Sequence, residues 1–227
     1  MLEQFIWIGK ELYDQGLVDS HGGNMSIREG DKIYITRRDA MLGRLTEKDI
    51  VEVSLDKEGF SDEQASRELF THREIYKNSS VKAIVHAHPP YATALSITEN
   101  KIVPQDSEAL YVLKSVPIVR VREAIASKEA VKHLIPIFSG NYVAAMVKGH
   151  GSFTTGSSLE EAFRNTSILE NSCKITSIVR SSSRPQQQSQ QSSSPRHGGR
   201  TQDRRSAIPR GIGVMDRSRY SRGGGRR

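Results

Sequence analysis

The run Val81-Lys82-Ala83-Ile84-Val85 leads directly into His86-Ala87-His88 and constrains both the fold and the chemistry of this chain. The composition of the run predicts a buried strand. Residues two apart on a strand point to the same face, so His86 and His88 can present both imidazoles to one metal ion. A third histidine, His150, follows a second apolar run, Tyr142–Val147. Three protein ligands and one open position are typical of a catalytic zinc site.

Length and composition predict an ordinary globular protein. A chain of 227 residues allows one domain of moderate size, or a smaller domain with an appendage. Cys173 is the single cysteine, which excludes an internal disulfide framework and fits a reducing cytosol. The sequence contains no apolar stretch near the roughly 20 residues that span a bilayer, and its first residues lack the features of a signal peptide. We therefore expect a cytoplasmic protein that does not enter membranes.

The positive charge of the chain belongs to its last quarter. Residues 180–227 contain twelve arginines, no lysine and two aspartates, which gives this segment a charge of +10 although the whole chain carries +7. The preceding residues carry a charge of −3. The basic character therefore says nothing about the chemistry of the predicted folded part.

The composition changes abruptly after about Ile178, where serine, glutamine, proline, glycine and arginine replace the mixed sequence before it. Such a segment buries too little apolar surface to offset its ordering entropy, so we predict a folded domain over 1–178 and a disordered basic tail over 179–227. The tail has three interpretations: a polyanion-binding arm containing Tyr220, a dispensable extension, or the product of a shifted reading frame. A shifted reading frame could produce its exclusive use of arginine, which differs from the twelve lysines and nine arginines of the body. Nucleic-acid binding is the least favoured.

Strands and helices alternate along the predicted domain. Apolar periodicity and turn residues predict helices over 2–16, 64–77, 90–97 and 124–135, with a last helix beginning at Ser157 or Ser158. Strands are predicted over 25–28, 32–36, 51–55, 81–88, 116–121 and 142–148. This alternation within one unit indicates a layered α/β or α+β domain.

Five short motifs occur together in one order along the chain. They are Gly22-Gly23-Asn24-Met25-Ser26, Ile35-Thr36, Glu68-Leu69-Phe70-Thr71-His72, His86-Ala87-His88-Pro89 and Gly149-His150-Gly151. Together they resemble the class II aldolase/adducin family, most closely its fuculose-phosphate aldolase-like branch, over residues 1 to about 176. The resemblance implies a three-layer α/β/α sandwich with a mostly antiparallel central sheet. It also implies a homotetramer with active sites between subunits.

The resemblance implies aldol cleavage of a small ketose phosphate, similar to fuculose 1-phosphate, into dihydroxyacetone phosphate and an aldehyde. His86, His88 and His150 would hold Zn²⁺, or Mn²⁺ or Co²⁺, as the Lewis acid that stabilises an enediolate. A lone histidine is more often structural, but a strand pair with a matching third position favours a metal site. Glu68 would move protons on the substrate. The alternative for Glu68 is a solvated acid near a helix N-terminus, where acids are favoured.

The anion-binding loops match the family less well. The resemblance assigns the substrate phosphate to Gly23 and Asn24, to the loop that begins at Thr36, and to Ser66. The second and third loops carry unexpected arginines, of which Arg38 and Arg67 are candidates for binding phosphate or carboxylate. Arg37 is expected to be a solvated surface residue. These departures leave the identity of the sugar phosphate open.

The proton donor of the reaction is also open. In the branch that the sequence resembles, fuculose-phosphate aldolases of the bacterial type use a tyrosine from a neighbouring subunit, about twenty residues after the histidine pair. In this sequence Tyr111 is the candidate catalytic residue, and Asp106 and Glu108 are the alternatives.

The superfamily includes three alternative functions. Epimerases carry aspartate at the position of Glu68, which disfavours that activity, whereas a sugar-phosphate dehydratase stays open. A non-catalytic adducin-like interaction module would lack the metal histidines, so their presence favours an enzyme.

Overall fold

One mixed sheet organises the part of the chain that the computed structural model describes, residues 1–140 and 142–183. Within these residues the sheet has eight strands in the order β3-β2-β1-β4-β8-β7-β6-β5. The strands are β1 (Asn24–Glu29), β2 (Lys32–Thr36), β3 (Ile50–Ser54), β4 (Ala83–Ala87), β5 (Lys101–Ile102), β6 (Val116–Val119), β7 (Ala144–Val147) and β8 (Gly151–Gly156). Neighbouring strands are antiparallel except for the pair β6 and β7. The prediction of a mostly antiparallel sheet is therefore confirmed.

Helices cover both faces of the sheet, as predicted for a three-layer sandwich. The helices are α1 (Leu2–Asp14), α2 (Leu69–Lys77), α3 (Pro90–Thr98), α4 (Ser107–Val112), α5 (Lys128–Ser139) and α6 (Leu159–Ser182). Side chains alternate along each strand, so β4 contributes Ile84 to one core and Val85 to the other. The first core packs against α2 and α5, and the opposite face packs against α1, α3, α4 and α6.

Two helices begin later than the sequence predicts, and capping explains one of these shifts. Helix α5 begins at Lys128 because the Ser127 side chain accepts a hydrogen bond from the Ala130 amide at 3.2 Å. Ala126 has φ +48°, which a right-handed helix cannot include. Helix α2 begins at Leu69 because the Ser66 amide donates to the Thr36 carbonyl at 3.1 Å, which ties the preceding segment to the sheet.

The sequence does not predict strand β8, because Gly151–Gly156 is rich in glycine, serine and threonine and looks like a polar loop. Its middle residues are nevertheless buried between β4 and β7. Helix α6 continues through residues 179–182 of the predicted tail. Residues 184–227, which hold the rest of that tail, lie outside the described residues. Among the helices that the structure describes, none is long and apolar enough to cross a membrane.

Candidate metal centre

The histidines meet at one edge of the sheet because of strand direction. Strand β4 is antiparallel to both β1 and β8, so its last residues lie beside the first residues of the other two strands. His86 is in register with Asn24 on β1 and with Phe153 on β8. His88 follows β4 directly, and His150 lies in the tight turn between β7 and β8. Residues far apart in the sequence therefore converge on one point.

The three imidazoles form a compact ligand set. One ring nitrogen of each of His86, His88 and His150 lies within 4.8 Å of the others. The Nε2 atoms of His86 and His88 are 3.2 Å apart. Two nitrogens bound tetrahedrally to zinc at about 2.0–2.1 Å would be separated by about 3.3 Å. The donor set and its spacing therefore fit a divalent metal ion, as the sequence predicted.

The orientation of His86 is fixed by its other nitrogen. Nδ1 of His86 lies 2.9 Å from the backbone carbonyl oxygen of Ser152 and donates its proton to it. This bond leaves the Nε2 lone pair directed at the other two histidines, as in metal sites whose ligands are held by outer hydrogen bonds. The ring of Phe153 stacks on His86 with centroids 4.3 Å apart.

The histidines are held in the form that binds metal. Burial lowers the pKa of His86 well below its ordinary value, and the neighbouring His150 and His88 lower it further. Burial also lowers the pKa of His88 and that of His150, although the Glu68 carboxylate partly opposes the shift at His150. All three imidazoles are therefore neutral near pH 7, and neutral imidazole is the metal-binding form.

Two glycines allow the backbone to approach the site closely. A Cβ at Gly151 would lie 2.3 Å from the Ala87 carbonyl oxygen and 2.6 Å from Cδ2 of His88. Gly23 has φ +77°, and a Cβ there would lie 2.7 Å from the His86 carbonyl oxygen. Both motifs that the sequence singled out around these glycines are thus needed for close packing behind the histidines.

Glu68 is a buried acid rather than a solvated surface residue. It directly precedes α2 and is 5% exposed. Its Oε1 accepts a hydrogen bond from the Ala126 amide at 2.8 Å, and its Oε2 accepts one from the Thr71 hydroxyl at 2.7 Å. Because both oxygens are held, the carboxylate has a defined position beside the histidines.

Glu68 and the three histidines line the same cavity, which has a volume of about 200 Å³. Its other lining residues are His21, Gly22, Gly23, Asn24, Arg37, Arg38, Asp39, Ser66, Arg67 and Ile125. A larger open groove of about 570 Å³ lies elsewhere, beside Trp7 and Phe163. The smaller cavity is the candidate active site, because the candidate metal ligands line it.

Five of the six predicted anion-binding residues line this cavity: Gly23, Asn24, Arg38, Ser66 and Arg67. Thr36 does not line it, and its hydroxyl accepts a hydrogen bond from the Met25 amide at 3.2 Å. Oδ1 of Asn24 is buried and has no hydrogen-bond partner among the described residues. A buried acceptor of this kind is available for a ligand that donates a hydrogen bond.

The arginines around the cavity differ in their pairing. Arg37 pairs with Asp49 at 2.9 Å, and Arg67 pairs with Asp39 at 2.8 Å. Arg38 makes no ion pair within the described part of the chain. Among these three arginines, Arg38 is therefore the one whose guanidinium can bind an incoming anion without first leaving a carboxylate of the described residues.

The candidate proton donors lie away from the cavity of their own chain. Tyr111 is 85% exposed on α4 and does not line the cavity. The Asp106 carboxylate caps α4 by accepting from the Ala109 amide at 3.0 Å, and it also accepts from the Ser172 hydroxyl. Glu108 is exposed in the first turn of the same helix. Within one chain, none of the three reaches the histidines.

Several residues of the site are not predicted from the sequence. The Ser152 carbonyl and the Ala126 amide act through the backbone, which leaves no mark in the residue type. Thr71 has a signal, since it lies three residues after Glu68 and such residues share one helix face. Asp19 also has a sequence signal, because an aspartate often begins a turn by accepting a backbone hydrogen bond. In the structure its Oδ1 accepts a hydrogen bond from the Gly22 amide at 2.6 Å.

A sheet covered by helices on both faces, with three histidines and a buried glutamate in one cavity, is the arrangement expected from the family that the sequence motifs resemble. The family model described as Class II Aldolase and Adducin N-terminal domain matches residues 3–177, so the chain belongs to this family. Aldolases and decarboxylases occur among its enzymes, and its class II aldolases depend on divalent metal ions.

Individual proteins with known names are similar to this chain over most of their length. An L-fuculose phosphate aldolase from Methanococcus vannielii is 36% identical over 183 residues, which cover 79% of this chain and 97% of that protein. A 3-oxo-tetronate 4-phosphate decarboxylase from Pectobacterium atrosepticum is 29% identical, with 78% of this chain and 83% of that protein covered. The crystal structure of L-fuculose-1-phosphate aldolase from Thermus thermophilus is similar with a TM-score of 0.76 and 33% identity, covering 81% of this chain and 97% of that one.

Proposed function

We propose that this protein is a metal-dependent carbon–carbon lyase, an aldolase that cleaves a small ketose phosphate. The products would be dihydroxyacetone phosphate and an aldehyde, as expected for a substrate similar to fuculose 1-phosphate. One observation carries the proposal: the buried Glu68 carboxylate and the three histidines line the same cavity. The similarity to fuculose-phosphate aldolases along most of their length supports it.

His86, His88 and His150 would hold the metal ion, for which we propose Zn²⁺, with Mn²⁺ and Co²⁺ as alternatives. A set of three imidazoles suits these ions better than Mg²⁺ or Ca²⁺, which prefer oxygen ligands. When bound, such an ion supplies Lewis-acid stabilisation of the negative charge that carbon–carbon cleavage leaves on the substrate. The protein contributes fixed ligand orientation through the bond from His86 to Ser152.

Glu68 would move the proton that cleavage requires. Its carboxylate is shielded from bulk water and lines the cavity that the substrate enters. A carboxylate in such a place can accept a proton from a substrate hydroxyl or return one to carbon, provided that it stays within hydrogen-bonding distance of the reacting atoms. The bonds from Thr71 and Ala126 hold the carboxylate in one orientation at the cavity.

The substrate phosphate would bind in the same cavity as the histidines. Gly23, Asn24 and Ser66 line this cavity and offer small polar or backbone groups, and Arg38 and Arg67 add positive charge. Thr36 does not line the cavity and would contribute only indirectly, because it ends β2 directly before the loop that carries Arg38. Guanidinium groups bind phosphate with two parallel hydrogen bonds, so they can replace contacts that backbone amides supply elsewhere.

We propose that the active protein is a cytoplasmic homotetramer with active sites between subunits. If Tyr111 is the proton donor, it would act at the cavity of another subunit, because it is exposed and does not line the cavity of its own chain. Residues 184–227, which follow α6, would have no role in catalysis.

Decarboxylation of a phosphorylated 3-oxo acid is a second candidate. Loss of CO₂ and retro-aldol cleavage both leave a carbanion next to a carbonyl group, so the same metal site can serve either reaction. Arg38 favours this candidate, since it lines the cavity without an ion-pair partner among the described residues. An unpaired guanidinium is suited to a substrate carboxylate.

A substrate panel tests the proposal. Wild-type protein loaded with Zn²⁺, Mn²⁺ or Co²⁺ is incubated with ketose 1-phosphates, ketose 5-phosphates and phosphorylated 3-oxo acids, and the products are identified by ³¹P and ¹³C NMR. We expect dihydroxyacetone phosphate from a ketose 1-phosphate, and loss of most turnover in Glu68→Gln with its metal retained. Release of CO₂, or loss of water without chain cleavage, would identify the decarboxylase or dehydratase instead. Unchanged turnover in Glu68→Gln would refute the role of that residue.

A further inference from the structure

The carboxylate of Glu68 is clamped from two sides. Oε2 accepts a hydrogen bond from the Thr71 hydroxyl at 2.7 Å, and Oε1 accepts one from the Ala126 amide at 2.8 Å. Thr71 is 1% exposed, so water does not compete for its hydroxyl. Hydrogen bonds to an ionised group are stronger than those between neutral groups, and burial strengthens them further. The two donors therefore restrict Glu68 to one orientation.

Thr71 reaches Glu68 because of helix geometry. Glu68 directly precedes α2, and Thr71 lies three residues later on the same side of the first turn. A valine at this position would fill nearly the same volume but would leave Oε2 of Glu68 without its donor. The hydroxyl, rather than the shape of the side chain, is thus what Thr71 contributes to the carboxylate.

The second donor belongs to the connection between β6 and α5. Ala126 has φ +48°, a left-handed conformation that is unfavourable for a residue with a side chain. Ser127, the next residue, caps α5, which anchors the connection on that side. Ile125, the preceding residue, is 66% exposed and lines the cavity. The amide that holds Glu68 is therefore adjacent to a side chain that forms the cavity wall.

We propose that Thr71 is a positioning residue that, together with the Ala126 amide, holds the Glu68 carboxylate in the orientation needed for proton transfer. Thr71 does not line the cavity and does not belong to the candidate metal ligands. It acts through Glu68, and its effect on turnover rests on the function proposed above. The clamp itself is a property of the folded protein and can be measured without turnover.

Kinetics of Thr71→Val and Thr71→Ser test the catalytic consequence. Loss of a buried hydrogen bond to a charged group should lower kcat about tenfold or more in Thr71→Val, with KM changed by less than about twofold and metal content unchanged. Thr71→Ser restores the hydroxyl and should keep kcat within about threefold of wild type. If Thr71→Val does not fold, Thr71→Ala takes its place as the variant without a hydroxyl. Equal kcat values in the serine and valine variants would overturn the proposal, because a packing role does not depend on the hydroxyl.

Amide hydrogen exchange at Ala126, followed by NMR on the full-length metal-loaded protein, tests the clamp independently. We expect exchange at Ala126 to be faster by about fivefold or more in Thr71→Val and unchanged in Thr71→Ser, because a released carboxylate protects the amide less well. The Ala130 amide, which donates to the Ser127 hydroxyl, is the internal control and should not change. Unaltered Ala126 exchange in Thr71→Val would overturn the clamp. If no substrate is turned over by wild type, the proposed function fails and the exchange data still decide whether Thr71 holds Glu68.

Discussion

Nδ1 of His86 donates to the Ser152 carbonyl across the β4–β8 pair at 2.9 Å, so the ladder that builds the sheet also orients a candidate metal ligand. The pairing places Ser152 opposite Ala87, one position beyond His86. A shift of one residue in this register would turn His86 to the other face of the sheet. Fold and candidate metal centre therefore depend on the same strand pairing.

Gly151 should be irreplaceable at the start of β8. In Gly151→Ala the new Cβ would overlap the Ala87 carbonyl and the His88 ring, and the resulting strain should destabilise the protein by about 2–3 kcal/mol. Displacement of His88 should also weaken metal binding. Urea denaturation and metal titration measure the two effects. Gly59→Ala is the matched control, since Gly59 has φ −148° and a Cβ there would meet no described atom within 4 Å. Equal stability of both variants would contradict the prediction.

His72 should make the stability of the protein depend on pH. Burial lowers the pKa of His72 to about 3, below the value of 6.5 expected in the unfolded chain. Between about pH 3 and pH 6.5 the unfolded state binds a proton at His72 that the folded state does not. The contribution of His72 to the free energy of unfolding is therefore constant above about pH 6.5 and is lost progressively as the pH falls below that value. His72→Gln should therefore reduce the loss of stability between about pH 7.5 and about pH 5.5 by about 1.4 kcal/mol.

The measurement for His72 is urea denaturation of metal-free protein at both pH values. His133→Gln, which replaces an exposed histidine on α5, is the control and should keep the pH dependence of wild type. If His72→Gln and wild type lose the same free energy of unfolding between these two pH values, His72 is not a source of the pH dependence.

Arg38 should contribute to binding of the substrate anion. Arg38→Gln removes a guanidinium that has no ion-pair partner among the described residues, so KM should rise by about tenfold while kcat changes less. Inhibition by inorganic phosphate should weaken in parallel. Arg44→Gln, at an exposed arginine that does not line the cavity, is the control for a general change in charge. An unchanged inhibition constant for phosphate in Arg38→Gln would exclude this contact.

The residues after the last helix should be dispensable for catalysis. Deletion of 184–227 leaves α6 intact, because that helix ends at Ser182. We expect kcat and KM to stay within about twofold of wild type, since the cavity lining comes from residues 21–150. Steady-state kinetics and the oligomeric state in solution should be measured together. A loss of activity with the oligomer retained would show that the deleted residues contribute to the site.

Much of the site could be predicted because its ligands follow simple periodicities. His86 and His88 lie two residues apart at the end of an apolar strand, which places both at one edge of the sheet. Glu68 and His150 required the order of motifs along the chain, because no local pattern joins them to that strand. The alternation of apolar periods indicated only a layered α/β or α+β domain, whereas the three-layer sandwich with a mostly antiparallel sheet came from the family resemblance.

The rest could not be predicted because it depends on the backbone and on tertiary contacts. Strand β8 is rich in small polar residues and becomes a strand through its position between β4 and β7. The Ala126 amide reaches Glu68 across 58 positions, and an alanine gives no indication of such a contact. The resemblance assigns Thr36 to the anion site, whereas in the fold its hydroxyl bonds to the amide of Met25.

The metal-to-chain ratio after exhaustive dialysis of zinc-loaded protein tests the central claim most directly. Wild type and the control His133→Ala should each retain about one metal ion per chain, whereas the double variant His86→Ala/His88→Ala should retain less than about 0.1, because two of three ligands are lost. Circular dichroism of the double variant should match that of wild type, which checks that the variant is folded. Retention of a full equivalent by that variant, or absence of stoichiometric metal from wild type, would contradict the account.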